Sequence, residues 1–348
     1  MNLAYCKDKT LVLWSGKKSK VLTKYVSLIK QSTMPTTRIL IVGALGQIGT
    51  ELTQYLRGIY GPENVIASDI KPANEVVSSA LPYVCLDALD AAGLRALLKD
   101  QNINQVYLMA AMLSATAEKA PMKAWDLNMN SLFHVLEAAR NGLIERVFWP
   151  SSIAVFGPTT PADNTPQKTV MEPTTVYGIS KQTGERWCAY YHKNYDVDVR
   201  SLRYPGLISY TAPPGGGTTD YAIDIFHQAL GSGHYTSFLN PDTALPMMYM
   251  EDAIRATHEL MAAPAEQIKE RGSYNLAGIS FDPKTLAQAI AEKIPGFTID
   301  YVPDFRQAIA DSWPNSIDDS AARNDWGWAP KYDLSAMVLA MLEGLKKQ

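Results

Sequence analysis

Cysteine is scarce in this chain. Cys6, Cys85 and Cys188 are the three cysteines in 348 residues. They are too few and too scattered for a disulfide framework or a cysteine-based zinc site, and such sparing use suits a reducing compartment. Long apolar runs are missing as well: no stretch reaches the roughly 18 residues of a membrane-spanning helix. Excess charge of one sign is also missing. The formal net charge is −3, which supplies no electrostatic footprint for nucleic acid. No internal repeat is visible. The remainder is ordinary globular composition, 47% hydrophobic and 19% charged. That excludes disorder, and the length allows a large core in one elaborated domain or two closely packed ones.

Arginine is absent from the first 34 residues, which carry Lys7, Lys9, Lys17, Lys18, Lys20, Lys24 and Lys30 against Asp8 alone. Organelle-targeting peptides are rich in arginine. We therefore expect residues 1–34 to be a basic, weakly ordered extension ahead of the body, with Met34 the more natural start. The expected location is cytoplasmic, or mitochondrial if the segment is a targeting peptide.

From residue 38 the pattern becomes regular. Arg38-Ile39-Leu40-Ile41-Val42 suits a buried parallel strand. A glycine-rich turn follows, then a helical stretch through about Leu56. Val65–Ser68 ending at Asp69, Asn104–Met109 and Glu145–Trp149 read as further strands, with helical pattern between them, notably over Asn130–Arg140. Strands alternating with helices predict an α/β fold, a Rossmann-like doubly wound parallel sheet. The texture changes after Tyr204: Pro213-Pro214-Gly215-Gly216-Gly217 signals a long loop, and Pro283–Ile294 a later helix. The expected division is 35–205 for the dinucleotide-binding domain and 206–348 for a mainly substrate-binding region, with segments able to return to the main domain.

Gly43, Gly46 and Gly49 stand at G-x-x-G-x-x-G spacing between strand and helix, in the order that lets a backbone turn tightly and approach a pyrophosphate. Gln47 and Ile48 fall inside the same turn. Asp69 comes about 20 residues after Gly49 at a strand end, where a carboxylate can engage an adenosine ribose diol and repel a 2′-phosphate. This favours NAD over NADP; Lys71 is the countersignal, being able to meet a phosphate or simply to be solvated. Asp87 can meet the adenine edge or be an ordinary loop aspartate.

Tyr177 and Lys181 are four apart, on one face of any helix that holds them. A neighbouring ammonium and a cationic nicotinamide favour the phenolate, so the Tyr177 pKa is expected to fall from about 10. Lys181 can also hold a nicotinamide ribose hydroxyl. Upstream, Pro150-Ser151-Ser152 closes a strand, where Ser152 can donate to a substrate oxygen.

These stretches resemble the extended short-chain dehydrogenase/reductases. Others narrow the resemblance: Ser114-Ala115-Thr116, Arg203–Ser209, Pro214–Ala222, Leu245–Met250 and Ser312–Ser320. Together they resemble the short-chain type of L-threonine 3-dehydrogenase, from about Thr37 to the C-terminus. The resemblance implies oxidation of the L-threonine hydroxyl by NAD to 2-amino-3-ketobutyrate. Tyr177 would be the base, with Ser152 orienting the hydroxyl and Lys181 tuning the tyrosine. Ala110, Asn128 and Tyr204 would join the cofactor site. Ser114, Thr116, Ser151, Gly217, Thr218, Thr219 and Asp220 would lie near the amino acid, and Trp313 would help close the site. It also implies a homodimer through helices near Asn130–Arg140 and Ser180–Tyr195, with neither nucleic acid nor membrane as partner. Phe156 stands where many extended enzymes have tyrosine and is expected to pack.

Two alternatives stand beside this reading. A nucleotide-sugar epimerase or dehydratase would need basic residues for a diphosphate, but 204–250 holds no lysine and the nearest arginine beyond it is Arg255. A non-catalytic NAD-binding regulator would usually lose the tyrosine–lysine pair.

Overall fold

The computed structural model describes residues 37–72, 82–211 and 217–347. The expectations for residues 1–34 lie outside the described residues, as does the 213–216 part of the glycine-rich loop.

Each strand expected from the sequence forms: β1 (Ile39–Val42), β2 (Val65–Asp69), β4 (Gln105–Leu108) and β5 (Arg146–Phe148), with β3 (Tyr83–Cys85) added at the edge. Then come β6 (Ser151–Ser152), β7 (Asp198–Arg200), β8 (Leu202–Tyr204) and β9 (Gly206–Ile208). Six of these make a parallel sheet in the order β3-β2-β1-β4-β5-β7. β1 is central and buried along its whole length, which explains its unbroken apolar sequence. Its side chains alternate between layers. Ile39 and Ile41 join Leu52 and Leu56 of the helix Gln47–Tyr60, and Ile254 and Leu260 of the helix Met250–Ala262. Leu40 and Val42 face the opposite core, with Leu94, Leu132, Leu136 and Cys188 from the helices Ala91–Asp100, Pro121–Arg140 and Val176–Tyr195.

Two helices extend further than periodicity suggested, while the one expected over Pro283–Ile294 ends at Ala291. The Gln47 helix continues past Leu56 to Tyr60, and the one expected at Asn130 begins at Pro121. Pro121 supplies a preset φ at a helix start. β6 leaves the main sheet: Pro150 interrupts the ladder after β5, and β6 pairs with β8.

The later half adds β10 (His234–Ser237), β11 (Leu245–Tyr249), β12 (Tyr274–Asn275), β13 (Ile279–Phe281) and β14 (Thr298–Tyr301). β12 extends the β8–β6 pair, β11 bridges β9 and β13, and β10 pairs with β14. Phe226, Met247, Phe281, Leu286 and Met341 form a core for this half, into which Ile153–Phe156 also pack; Phe156 is buried.

Strand order reverses beside β1, between β2 and β4. Crevices at the carboxyl ends of such a switch point are where open α/β sheets bind ligands. Gly43 follows β1 directly, Asp69 ends β2, and Ala110 comes just after Met109 beyond the end of β4 there.

Candidate active site

The turn after β1 is built for close backbone approach. Gly43 takes φ +90°, and its N–H, like that of Ala44, donates to Ser68 O. A Cβ at Gly49 would lie 2.2 Å from Gly43 O, so any larger residue would spread the turn. The Asp69 carboxylate accepts from Leu45 N at 3.1 Å and from Lys71 N at 3.3 Å. It thereby ties the turn to the end of β2 and keeps further acceptor capacity. Gln47 opens the helix, and its Nε2 is buried without a hydrogen-bond partner. A narrow, amide-lined turn at a helix N-terminus, an acid at the second strand end and an unpaired donor fit a dinucleotide. Asp87 is exposed and accepts from Leu89 N, so its carboxylate shapes a turn.

The tyrosine helix starts where Thr175 accepts from Gly178 N, while Glu118 accepts from Val176 N. A Cβ at Gly178 would sit 2.1 Å from Ala154 O. Glycine at this position lets the helix rest on the short turn Ile153–Val155, which brings Tyr177 beside Ser152. The two side chains are hydrogen-bonded, and the Ser152 hydroxyl also accepts from Ala154 N. Lys181, one turn on, is buried and donates from Nζ to Pro150 O.

Tyr177 and Lys181 line a cavity of about 140 Å³ with Gln47, Ile48, Ser114, Ser151, Ser152, Tyr204, Gly217, Thr218, Thr219, Asp220 and Trp313. Residues far apart in the chain therefore share one chamber. Met109, Leu113, Pro205 and Leu207 add apolar walls. Thr218 is 1% exposed, and its hydroxyl has no hydrogen-bond partner. An unpaired buried hydroxyl costs free energy unless a ligand takes it up.

Several expected residues are placed differently. Asn128 spends its amide on Met112 N and O and on Ser180 Oγ, so it braces two segments of the site. Ser151 lines the cavity, but its hydroxyl donates to Glu185 at 2.6 Å. Thr116 is exposed on its helix and lies outside the cavity lining. The Tyr204 hydroxyl is bonded to Thr257. Asp220 accepts from Gly217 N at 2.7 Å, which is turn chemistry.

Under the site lies a buried charge network. Glu185, one turn beyond Lys181, forms a two-pronged pair with Arg203 at 2.9 and 2.8 Å. Arg203 also donates to Gln167 O and Asn275 Oδ1. These residues were missed from the sequence. The available signal was an arginine and a glutamate inside segments otherwise destined for burial.

The expected fall in the Tyr177 pKa is not what the protein alone produces. Burial pushes the phenol up to about 12, with the Ser152 hydrogen bond opposing. Burial likewise pushes the Lys181 ammonium down to about 7, against the nearby Cys188 and Glu185. Desolvation disfavours the charged form of each group.

Residues 39–277 match the family described as NAD dependent epimerase/dehydratase. An uncharacterized epimerase/dehydratase of Staphylococcus aureus (strain USA300) is 50% identical over 314 residues, 89% of this chain and 97% of the relative. Among solved structures, a GalE-like L-threonine dehydrogenase from Cupriavidus necator, in its holo form, is 63% identical. The match covers 88% of this chain and 99% of that one, at a TM-score of 0.87. A monomeric L-threonine 3-dehydrogenase from a metagenome, in its apo form, is 46% identical. There the match covers 89% and 99%, at a TM-score of 0.85.

Proposed function

This chain belongs to the NAD dependent epimerase/dehydratase family, and we propose that within it the protein oxidises L-threonine at the hydroxyl-bearing carbon to 2-amino-3-ketobutyrate. The observation that carries this reading is the cavity itself. It gathers Ser152, Tyr177 and Lys181 with Ser114 and the Gly217–Asp220 turn in about 140 Å³, a volume suited to an amino acid. Solved relatives described as L-threonine dehydrogenases support the same substrate. We also read 206–348 as the mainly substrate-facing region.

In this mechanism Ser152 donates to the threonine hydroxyl oxygen and holds it against Tyr177. The phenolate of Tyr177 removes the hydroxyl proton as the carbonyl forms. Lys181 favours the phenolate by its charge and would hold a ribose hydroxyl of the cofactor. NAD, which the Gly43–Gly49 turn, Gln47 and Asp69 would hold, would supply the hydride acceptor for the same carbon. The unpaired Thr218 hydroxyl is free to donate to the substrate, and Trp313 covers the chamber.

The test is NADH formation by the full chain across amino acids and UDP-sugars. L-threonine is expected to be the preferred substrate, with kcat/KM for NAD well above that for NADP because Asp69 would accept from the ribose diol and repel a 2′-phosphate. Asp69→Ala should weaken NAD more than NADP. Turnover of a UDP-sugar with none of threonine would reverse the substrate assignment, and equal use of both cofactors would remove Asp69 from that role.

We further propose a homodimer. Met122, Trp125, Ile179, Trp187, Tyr190 and Tyr195 are exposed on the helices Pro121–Arg140 and Val176–Tyr195. Trp187 meets Phe133 and Tyr190 edge to face, so the patch is an ordered aromatic surface of the kind interfaces favour. Sedimentation equilibrium should return twice the chain mass of 38.3 kDa; a monomer at micromolar concentration would reject the interface.

A further inference from the structure

Lys181 has one neighbour that neither hydrogen-bonds nor carries charge. Its Nζ lies 4.4 Å from the centroid of the Trp149 indole, closer than its 5.6 Å to the Tyr177 ring. Trp149 is almost fully buried, and its own backbone N–H donates to Arg200 O, which fixes it at the end of β5. The helix makes room for the ring: a Cβ at Gly184 would sit 2.3 Å from the indole Cη2. A bulky aromatic is thus seated against a face of the helix where a side chain has been given up, close to the lysine. Tryptophan presents the most negative ring face of the natural aromatics.

We propose that Trp149 is a positioning residue whose indole face keeps the buried Lys181 ammonium charged and aimed between Pro150 O and Tyr177. The alternative role for such a ring is to fill space. The two differ in sign. A charge platform opposes the desolvation of the ammonium, so its loss lowers the lysine pKa. A spacer only excludes water, so its loss admits water and raises that pKa. Other ionisable groups that face Lys181 are Tyr177, Glu185 and Cys188 on its own helix. On elements packed against that helix, Arg203 is engaged by Glu185, Glu118 caps Val176 and Glu137 accepts from Tyr191.

The kinetic part of this inference rests on the threonine-oxidising reading; the titration does not. The full chain is labelled with ¹³Cε-lysine and titrated by NMR with and without NAD, and Lys181 is identified by the resonance lost in Lys181→Met. Trp149→Leu should lower the Lys181 pKa by about one unit, the size of a desolvated cation–π contact. Trp149→Phe, which keeps a ring with a weaker face, should move it part of the way and preserves the fold if the leucine variant does not. Gly184→Ala, which displaces the indole, should shift it in the same direction. Turnover should show the same order, with kcat falling more than KM rises for threonine. An unchanged or raised Lys181 pKa in Trp149→Leu or Trp149→Phe overturns the proposal. A wild type inert to threonine, but with the lysine shift intact, overturns the substrate reading alone.

Discussion

Replacing Tyr177 by phenylalanine should cut kcat by about 10²-fold or more, while NAD affinity stays within a few-fold of the wild type. The substitution keeps the ring that packs against the core and removes only the oxygen that is bonded to Ser152. Loss of turnover with retained cofactor binding is what removal of a positioned base looks like. A pH profile sharpens the test. In the protein alone burial holds the phenol at about 12, so at neutral pH the base is almost wholly protonated. Positive charge brought next to it lowers that value. The rate should therefore climb with pH, by up to about tenfold per unit, until the tyrosine has ionised, provided that chemistry limits turnover and that Lys181, held at about 7 by burial in the protein alone, keeps its charge in the bound complex. Steady-state kinetics over pH 6 to about 10 measure both effects. Near-normal threonine oxidation by Tyr177→Phe would end the mechanism.

The second large effect is on stability and comes from a residue outside the chamber wall. Glu185→Ala should destabilise the fold by about 3–5 kcal/mol, the scale seen when one partner of a buried ion pair is removed. Arg203 and Glu185 are both almost fully buried. Without the carboxylate, the guanidinium keeps only Gln167 O and Asn275 Oδ1. The Ser151 hydroxyl loses its acceptor as well. Thermal unfolding should move down by roughly 10 °C, and Glu185→Gln, which preserves an acceptor, should lose less. A change in Tm of under about 2 °C would mean that water or rearrangement satisfies Arg203 at little cost.

The two variants separate the parts of the site that sequence discloses from those it hides. Tyr177 and Lys181 were legible because four-residue spacing puts two side chains on one helix face, whatever the helix packs against. Asp69 was legible because strand, turn and helix are consecutive. Glu185, Arg203 and Trp149 were not. Each looks like one charged or aromatic residue among many until its partner is known, and the partners come from different segments of the chain. Asn128 shows the reverse case. The resemblance assigned it to the cofactor, but the fold commits its amide to Met112 and Ser180.

The sequence by itself determined the parallel α/β frame, the glycine turn with its acid, and the tyrosine–lysine pair. All of these rest on short-range rules: apolar runs that must be buried on both faces, glycine where a Cβ cannot fit, and helical periodicity. Only the tertiary structure decided how the pieces meet. Ser152 reaches Tyr177 because Gly178 lets the helix touch Ala154 O. The Gly217–Asp220 turn and Trp313 join the same chamber from the far half of the chain. The protonation balance of Tyr177 and Lys181 belongs to this second class as well. It is set by desolvation, and desolvation depends on everything packed around a group rather than on its neighbours in the chain.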